Sequence, residues 1–127
     1  MFSSPPPATD DEFRARLPGN APAYVKGDAS AIAAELSRVI AKADVMRRGF
    51  EIFQGWSVVD SLDTIKVPTL VVCGRYDLHT TPECSARLAS AIPNAELAWF
   101  ENSAHFPWLE EPQAFNNRLR DFLVDHW

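Results

Sequence analysis

No stretch of this chain approaches the roughly 18 consecutive apolar residues that a membrane-spanning helix needs. Basic residues are in deficit, with 12 Lys and Arg against 17 Asp and Glu and a formal charge of -5. A nucleic-acid surface wants a basic stripe, so that partner is excluded, and an anionic membrane is disfavoured on the same ground. Only two cysteines occur, Cys73 and Cys84, and they show no metal-ligand spacing. Cys73 sits in an apolar run and Cys84 in helix-like text, so both are read as reduced thiols. The first residues, Met1-Phe2-Ser3-Ser4-Pro5-Pro6-Pro7, have neither the basic region nor the apolar core of a signal peptide. A cytoplasmic protein is the expectation. There is no internal repeat, and no low-complexity tract beyond the three prolines.

What is present has ordinary globular composition, 46% hydrophobic and 23% charged. Residues 1–27 are rich in Pro and Gly and read as a loop-like lead-in, with a helical turn or two over Asp10 to Leu17. From Asp28, a candidate N-cap, the text turns helical: Ile32, Leu36, Val39, Ile40 and Ala43 fall at helical spacing. A second helical stretch, Asp44 to Phe53, presents Met46, Phe50 and Phe53 before Gly55-Trp56 breaks the pattern.

The second half changes character. Thr69-Leu70-Val71-Val72-Cys73, ending at Gly74, has the signature of a strand buried on both faces. A helix over Pro82 to Ile92 follows, with proline in its first turn. Pro93-Asn94 makes a turn, Glu96 to Phe100 a second strand, and Pro112 opens a last helix with Phe115, Leu119, Phe122 and Leu123 at helical spacing. Strand, helix, strand, helix predicts an α/β arrangement with parallel pairing. Two strands are too few for an independent sheet, which normally takes about three. An open strand edge is therefore expected, and something is missing from this chain.

The chemistry gathers at one sheet edge. Asp77 lies just beyond the end of the first strand and His105 in the loop after the second. In open parallel sheets, functional loops collect at the carboxyl ends of the strands. There an acid can fix an imidazole's tautomer and stabilise the imidazolium formed when histidine takes a proton from a nucleophile. Taken singly, Asp77 is better read as a turn residue or helix cap, and His105 is as good a loop histidine. His79 reads as surface or pocket rim, and His126, one residue from the end, as solvated.

Four segments together resemble the α/β-hydrolase family, most nearly its proline iminopeptidase-like and esterase branches. They are Val67-Pro68-Thr69-Leu70-Val71-Val72-Cys73-Gly74-Arg75-Tyr76-Asp77, Ile92-Pro93-Asn94-Ala95-Glu96, Ser103-Ala104-His105-Phe106-Pro107-Trp108-Leu109-Glu110-Glu111-Pro112, and the Phe115, Leu119, Phe122, Leu123 pattern. The match covers about residues 60–126. Ala104 stands where many members carry glycine. The resemblance implies a partial α/β-hydrolase fold: a helical cap segment over residues 1–60, then the last two parallel strands and their helices over 61–127. It makes Asp77 the triad acid and His105 the triad base, and it implies no metal or cofactor.

One family element has no counterpart. The nucleophile of such enzymes sits on a strand-to-helix elbow, usually Gly-x-Ser-x-Gly, upstream of the acid. Gly55-Trp56-Ser57 continues as Val58-Val59, without the second glycine. The glycine-flanked oxyanion loop is absent too, and an acid–histidine pair alone cannot perform acyl transfer. The expected partner is thus an N-terminal hydrolase part that carries the nucleophile, as a separate chain or a missing segment, with a small-molecule ester or peptide as substrate. The alternatives are a non-catalytic, hydrolase-derived assembly module, or an enzyme with an aspartate nucleophile like the dehalogenases and epoxide hydrolases.

Phe106 and Trp108 are candidates to line a substrate pocket, with helix-to-sheet packing as the equal alternative. Trp56, with Phe50 and Phe53, is a candidate cap surface facing substrate, though such a stripe is usually core. Glu35 and Glu51 are minor candidates for a substrate ammonium, and Ser57, Ser61 and Ser103 minor candidates for a nucleophile. Glu110, Glu111 and Pro112 read as a helix start, where acidic residues are stabilised by the backbone dipole.

Overall fold

Strand, helix, strand and helix follow one another in the second half as the sequence predicts. The computed structural model describes residues 5–127, and the Met1–Ser4 end used in the signal-peptide reading lies outside them. β1 (Thr69–Gly74) and β2 (Ala95–Phe100) pair in parallel, with Thr69 opposite Ala95 and Gly74 opposite Phe100. Between them runs α4 (Pro82–Ala91), with Pro82 in its first turn, and after them α5 (Pro107–Glu110) and α6 (Pro112–His126). Before β1 the chain forms α1 (Asp10–Arg16), a 3-10 segment (Leu17–Ala23), α2 (Ser30–Leu36), α3 (Ala43–Phe53) and a second 3-10 segment (Val59–Thr64).

Two compact units result. One holds residues up to Ala21 together with Ala29–Ser57, and the other holds Pro22–Asp28 together with Val58–Trp127. The short segment 22–28 thus packs with the α/β half, although it precedes β1 by some forty residues of chain.

In the α/β unit different helices lie against the two faces of the strand pair, and each strand is well buried on one face only. Successive side chains of a strand point to opposite faces. Val71 and Cys73 are buried on one face, where Cys73 meets Ser85 of α4. Ala98 and Phe100 are buried on the other, where the Phe100 ring lies 5.9 Å from that of Phe115 in α6. Burial pushes the Cys73 thiol up, with the Ser85 bond opposing, so Cys73 stays a protonated packing residue. The burial is one-sided in each strand: Leu70 and Val72 are only half-buried, so β1 is not the doubly covered strand its composition suggested. Among the described residues each strand has one neighbour, and one edge of each is open.

α6 buries Phe122 but leaves Leu119, Leu123, Val124 and Trp127 exposed along a groove of about 650 Å³. His126 is exposed, as the sequence reading has it, but its Nε2 sits 2.8 Å from Glu96 Oε1 and its ring packs on Phe122, so it also ties the end of α6 to β2.

The all-helical unit starts at Thr9, whose Oγ1 accepts from Glu12 N at 3.1 Å as an N-cap. Asp10 joins α1 to α3: Oδ1 accepts from Ala43 N at 2.9 Å and Oδ2 meets Lys42 Nζ at 2.8 Å. Those bonds hold the Asp10 carboxyl below its ordinary value, with Lys42 the larger influence.

The helix read from Asp28 onward is shorter than its spacing suggested. Ala29, not Asp28, is its N-cap, and it stops at Leu36, where Arg38 N and Val39 N turn back to the carbonyls of Glu35 and Leu36. Val39 and Ile40 are exposed, and two adjacent β-branched residues are poor helix formers. α3 ends as expected, with Gly55 at φ 76°, the left-handed conformation that closes helices. No helix among the described residues is long and apolar enough to cross a membrane.

Candidate active site

Asp77 combines the two roles weighed for it. Its Oδ1 accepts from the backbone N–H groups of His79 at 2.7 Å and Thr80 at 3.0 Å, as a turn aspartate does. Its Oδ2 accepts from Thr80 Oγ1 at 2.8 Å and lies 2.8 Å from His105 Nδ1. The side chain is 6% exposed. Burial pushes its pKa up, but the bonds from His105, from the Thr80 hydroxyl and from the two backbone groups outweigh it. The carboxyl is therefore held below its ordinary value. A carboxylate so held is ionised at neutral pH and fixes the imidazole with its proton on Nδ1. The Nε2 lone pair is then left for a proton acceptor's role.

The loop that carries His105 is built onto the end of β1. Arg75 N donates to Phe100 O and Tyr76 N to Ser103 O, each at 3.0 Å, which stitches the acid loop to the histidine loop. Gly74 makes this approach possible. A Cβ there would stand 2.1 Å from Ala104 O and 2.4 Å from Ser103 O, so no larger residue fits without moving backbone. The loop's own donors are all placed: Asn102 N on Glu111 Oε2 at 2.9 Å, Ser103 N on Phe100 O at 3.4 Å, Ala104 N on Glu110 Oε2 at 2.8 Å and His105 N on Tyr24 O at 2.9 Å.

An aromatic cluster surrounds the pair. The Tyr24 ring stacks on Phe106 at 5.3 Å, meets His105 edge-on at 5.6 Å and lies 4.1 Å from the His79 ring. His79 is half-buried beside the pair. Its ring is 5.2 Å from that of His105, and its buried Nε2 has no hydrogen-bond partner among the described residues. Burial first, and the neighbouring His105 second, lower the His79 pKa, with Asp77 opposing, so His79 is held neutral.

Of the predicted pocket residues, Phe106 lies beside His105 at 5.2 Å between ring centroids. Trp108 reaches the pair only through Phe106, at 5.3 Å, and also packs on Phe115 of α6 at 6.1 Å. Trp56 belongs to the helical unit, where it is exposed and meets Phe53 at 5.7 Å.

The minor candidates are otherwise engaged. Glu35 pairs with Arg38 and Glu51 with Arg48, each at 2.9 Å. Ser61 Oγ donates to Val58 O at 2.9 Å, and the fully buried Ser103 donates to Glu111 Oε2 at 2.6 Å. Tyr24, Thr80, Gly74, Glu110 and Glu111 were not singled out from sequence as parts of the site. Gly74 acts through backbone, as Tyr24 does in part, which leaves no mark in side-chain chemistry.

A parallel strand pair flanked by helices, with an acid and a histidine on adjoining loops at its carboxyl edge, defines the class as the C-terminal part of an α/β-hydrolase fold. The comparisons agree. No family model matches the sequence. The proline iminopeptidase of Heyndrickxia coagulans is 40% identical over 62 residues, covering 49% of this chain and 21% of its own length. A putative carbamate hydrolase, RutD, of Rhizobium rhizogenes is 39% identical over 82 residues, covering 65% of this chain and 31% of its own. In fold, an esterase from Exiguobacterium antarcticum superposes with a TM-score of 0.76 at 22% identity, over 90% of this chain and 44% of that one. The relatives and fold neighbours are α/β-hydrolases, as the motifs implied, and this chain spans less than half the length of each of these three.

Proposed function

We propose that this chain is the acid–histidine portion of a serine-type α/β-hydrolase of ester or amide bonds, N-terminal prolyl peptides among them. The observation that carries the reading is the 2.8 Å contact between His105 Nδ1 and the buried, ionised Asp77. In this reading a serine outside these 127 residues attacks the carbonyl carbon. His105 Nε2 takes the serine proton and later gives it to the leaving group, while Asp77 stabilises the imidazolium formed between the two steps. Phe106, backed by Tyr24 and Trp108, forms the apolar wall next to the base, and Trp56 is part of the cap surface.

The nucleophile and the oxyanion donors come from an N-terminal hydrolase part, either another polypeptide or a preceding segment. The open edges of β1 and β2 and the bare apolar side of α6 support this, because each is surface that a larger sheet and a further helix would cover. The same edges favour the second reading, a hydrolase-derived module that recruits a strand without catalysis. A cytoplasmic setting belongs to the first reading, with Cys73 and Cys84 both free.

Hydrolysis of an activated ester distinguishes the two. The isolated chain should be inactive, and its complex with a nucleophile-bearing part should turn over substrate and lose that turnover in His105→Ala. Turnover that survives His105→Ala refutes the site, and a stable complex with no turnover favours the assembly module.

A further inference from the structure

The corner between α5 and α6 folds back on the histidine loop. Glu111 is neither in α5 nor in α6; its backbone, at φ -129° and ψ 55°, is neither helical nor extended. It occupies the N-cap position of α6 yet makes no side-chain capping bond there. Its Oε2 instead accepts from Asn102 N at 2.9 Å and from the buried Ser103 Oγ at 2.6 Å. The preceding residue does the same one step further along. Glu110 Oε2 accepts from Ala104 N at 2.8 Å, and its Oε1 accepts from Lys26 N at 2.6 Å. Lys26 Nζ also donates to Asn102 Oδ1 at 3.0 Å. Two residues before Lys26, the Tyr24 carbonyl accepts from His105 N.

Stabilisation of α6 by its dipole does not account for carboxylates aimed away from α6. Ionised acceptors make stronger bonds than neutral ones, and the donors of the buried Ser103 and Ala104 are costly to leave without an acceptor, whereas the Asn102 bond is exposed. Ser103 Oγ and Ala104 N therefore stay where the carboxylates hold them, and His105 hangs from that scaffold.

We propose that Glu110 and Glu111 are positioning residues that, through the loop 102–105 and the 22–28 segment, hold the His105 ring in register with Asp77. This rests on the acid–base reading of that pair. Glu111 closes the loop onto its own C-terminal flank, and Glu110 bolts the loop to the segment that carries Tyr24. Neither touches the imidazole, so their effect is on its alignment.

The test follows the His105 Nδ1–H proton by NMR in the full chain, purified with any polypeptide that accompanies it. A carboxylate-bonded imidazole proton is strongly downfield and slow to exchange, and His105→Ala assigns it by its loss. Glu110→Ala and Glu111→Ala should each speed its exchange by about tenfold, the effect of losing a charge-assisted bond, and the double variant should lose the signal. Glu110→Gln and Glu111→Gln, which keep a carbonyl acceptor, should restore slow exchange. Wild-type exchange in folded alanine variants, even with a lowered melting temperature, overturns the proposal and leaves the two glutamates as plain structural residues. If an alanine variant does not fold, Ser103→Ala carries the test, since it removes one of the two donors to Glu111. Faster exchange there supports the proposal, and wild-type exchange overturns it. A wild-type chain with no such proton refutes the Asp77–His105 pairing itself and takes the proposal with it.

Discussion

Replacing Gly74 by alanine puts a methyl carbon 2.1 Å from Ala104 O, 2.4 Å from Ser103 O and 2.6 Å from Ser103 C. All three are backbone atoms, so no side-chain rotation relieves the clash. Contact at ordinary separation requires the histidine loop to retreat by about an ångström from the end of β1. That retreat strains Tyr76 N to Ser103 O, 3.0 Å in the native chain, and drags His105 away from Asp77 Oδ2. Overpacking of this kind costs about 1–3 kcal/mol, and the backbone clash puts Gly74→Ala at the upper end. With a urea dependence of about 1–3 kcal/mol per molar, the midpoint of unfolding should fall by roughly 1–3 M. The same variant should weaken or abolish the slowly exchanging His105 Nδ1–H proton. An unfolding midpoint and an imidazole signal both equal to wild type would refute the claim that the histidine loop rests directly on Gly74.

Three further outcomes are expected. Asp77 is held below its ordinary pKa of 3.8, so the unfolded chain takes up the proton first. Its contribution to stability is thus complete above that value and is lost as pH falls below it. The stability gap between wild type and Asp77→Asn in urea unfolding should be constant near neutrality and shrink below about pH 3.8; a gap that persists in acid contradicts the ionised pair. His79 is held neutral, below its ordinary 6.5, so it contributes stability above that pH and loses it as pH falls. His79→Gln should flatten the pH dependence of melting temperature below 6.5, and an unaltered slope there would show that His79 titrates as if in solvent. His126→Ala, which frees Glu96 from one of its two partners, should lower the melting temperature modestly and leave the His105 proton untouched.

Local pattern was enough where a residue's role is set by its own segment. β1, α4, β2 and α6 were legible because apolar runs, Pro82 and Pro112 mark them directly. Asp77 and His105 were legible because strand ends in a parallel sheet bring neighbouring loops together. The failures come where partners are distant. Val39 and Ile40 keep helical spacing, yet α2 stops at Leu36, where the backbone turns back on Glu35 and Leu36 ahead of two adjacent β-branched residues. Tyr24 looked like part of a featureless proline-rich stretch, and its place beside His105 depends on its carbonyl accepting from the N–H of His105, eighty-one residues away in sequence. Glu110 and Glu111 carried the composition of a helix start, and only the turn at Glu111 aims them at loop N–H groups instead. His126 is exposed as read, but nothing in the sequence shows that α6 ends against Glu96.

A serine-reactive phosphonate ester, applied to the purified chain with whatever polypeptide accompanies it and read by intact mass, bears most directly on the proposed chemistry. The expected result is a label on a serine outside these 127 residues, formed rapidly with wild-type chain and not formed with His105→Ala. A label on Ser57, Ser61 or Ser103 of this chain, or labelling that proceeds as fast without His105, would contradict the division of the catalytic group between this chain and another part.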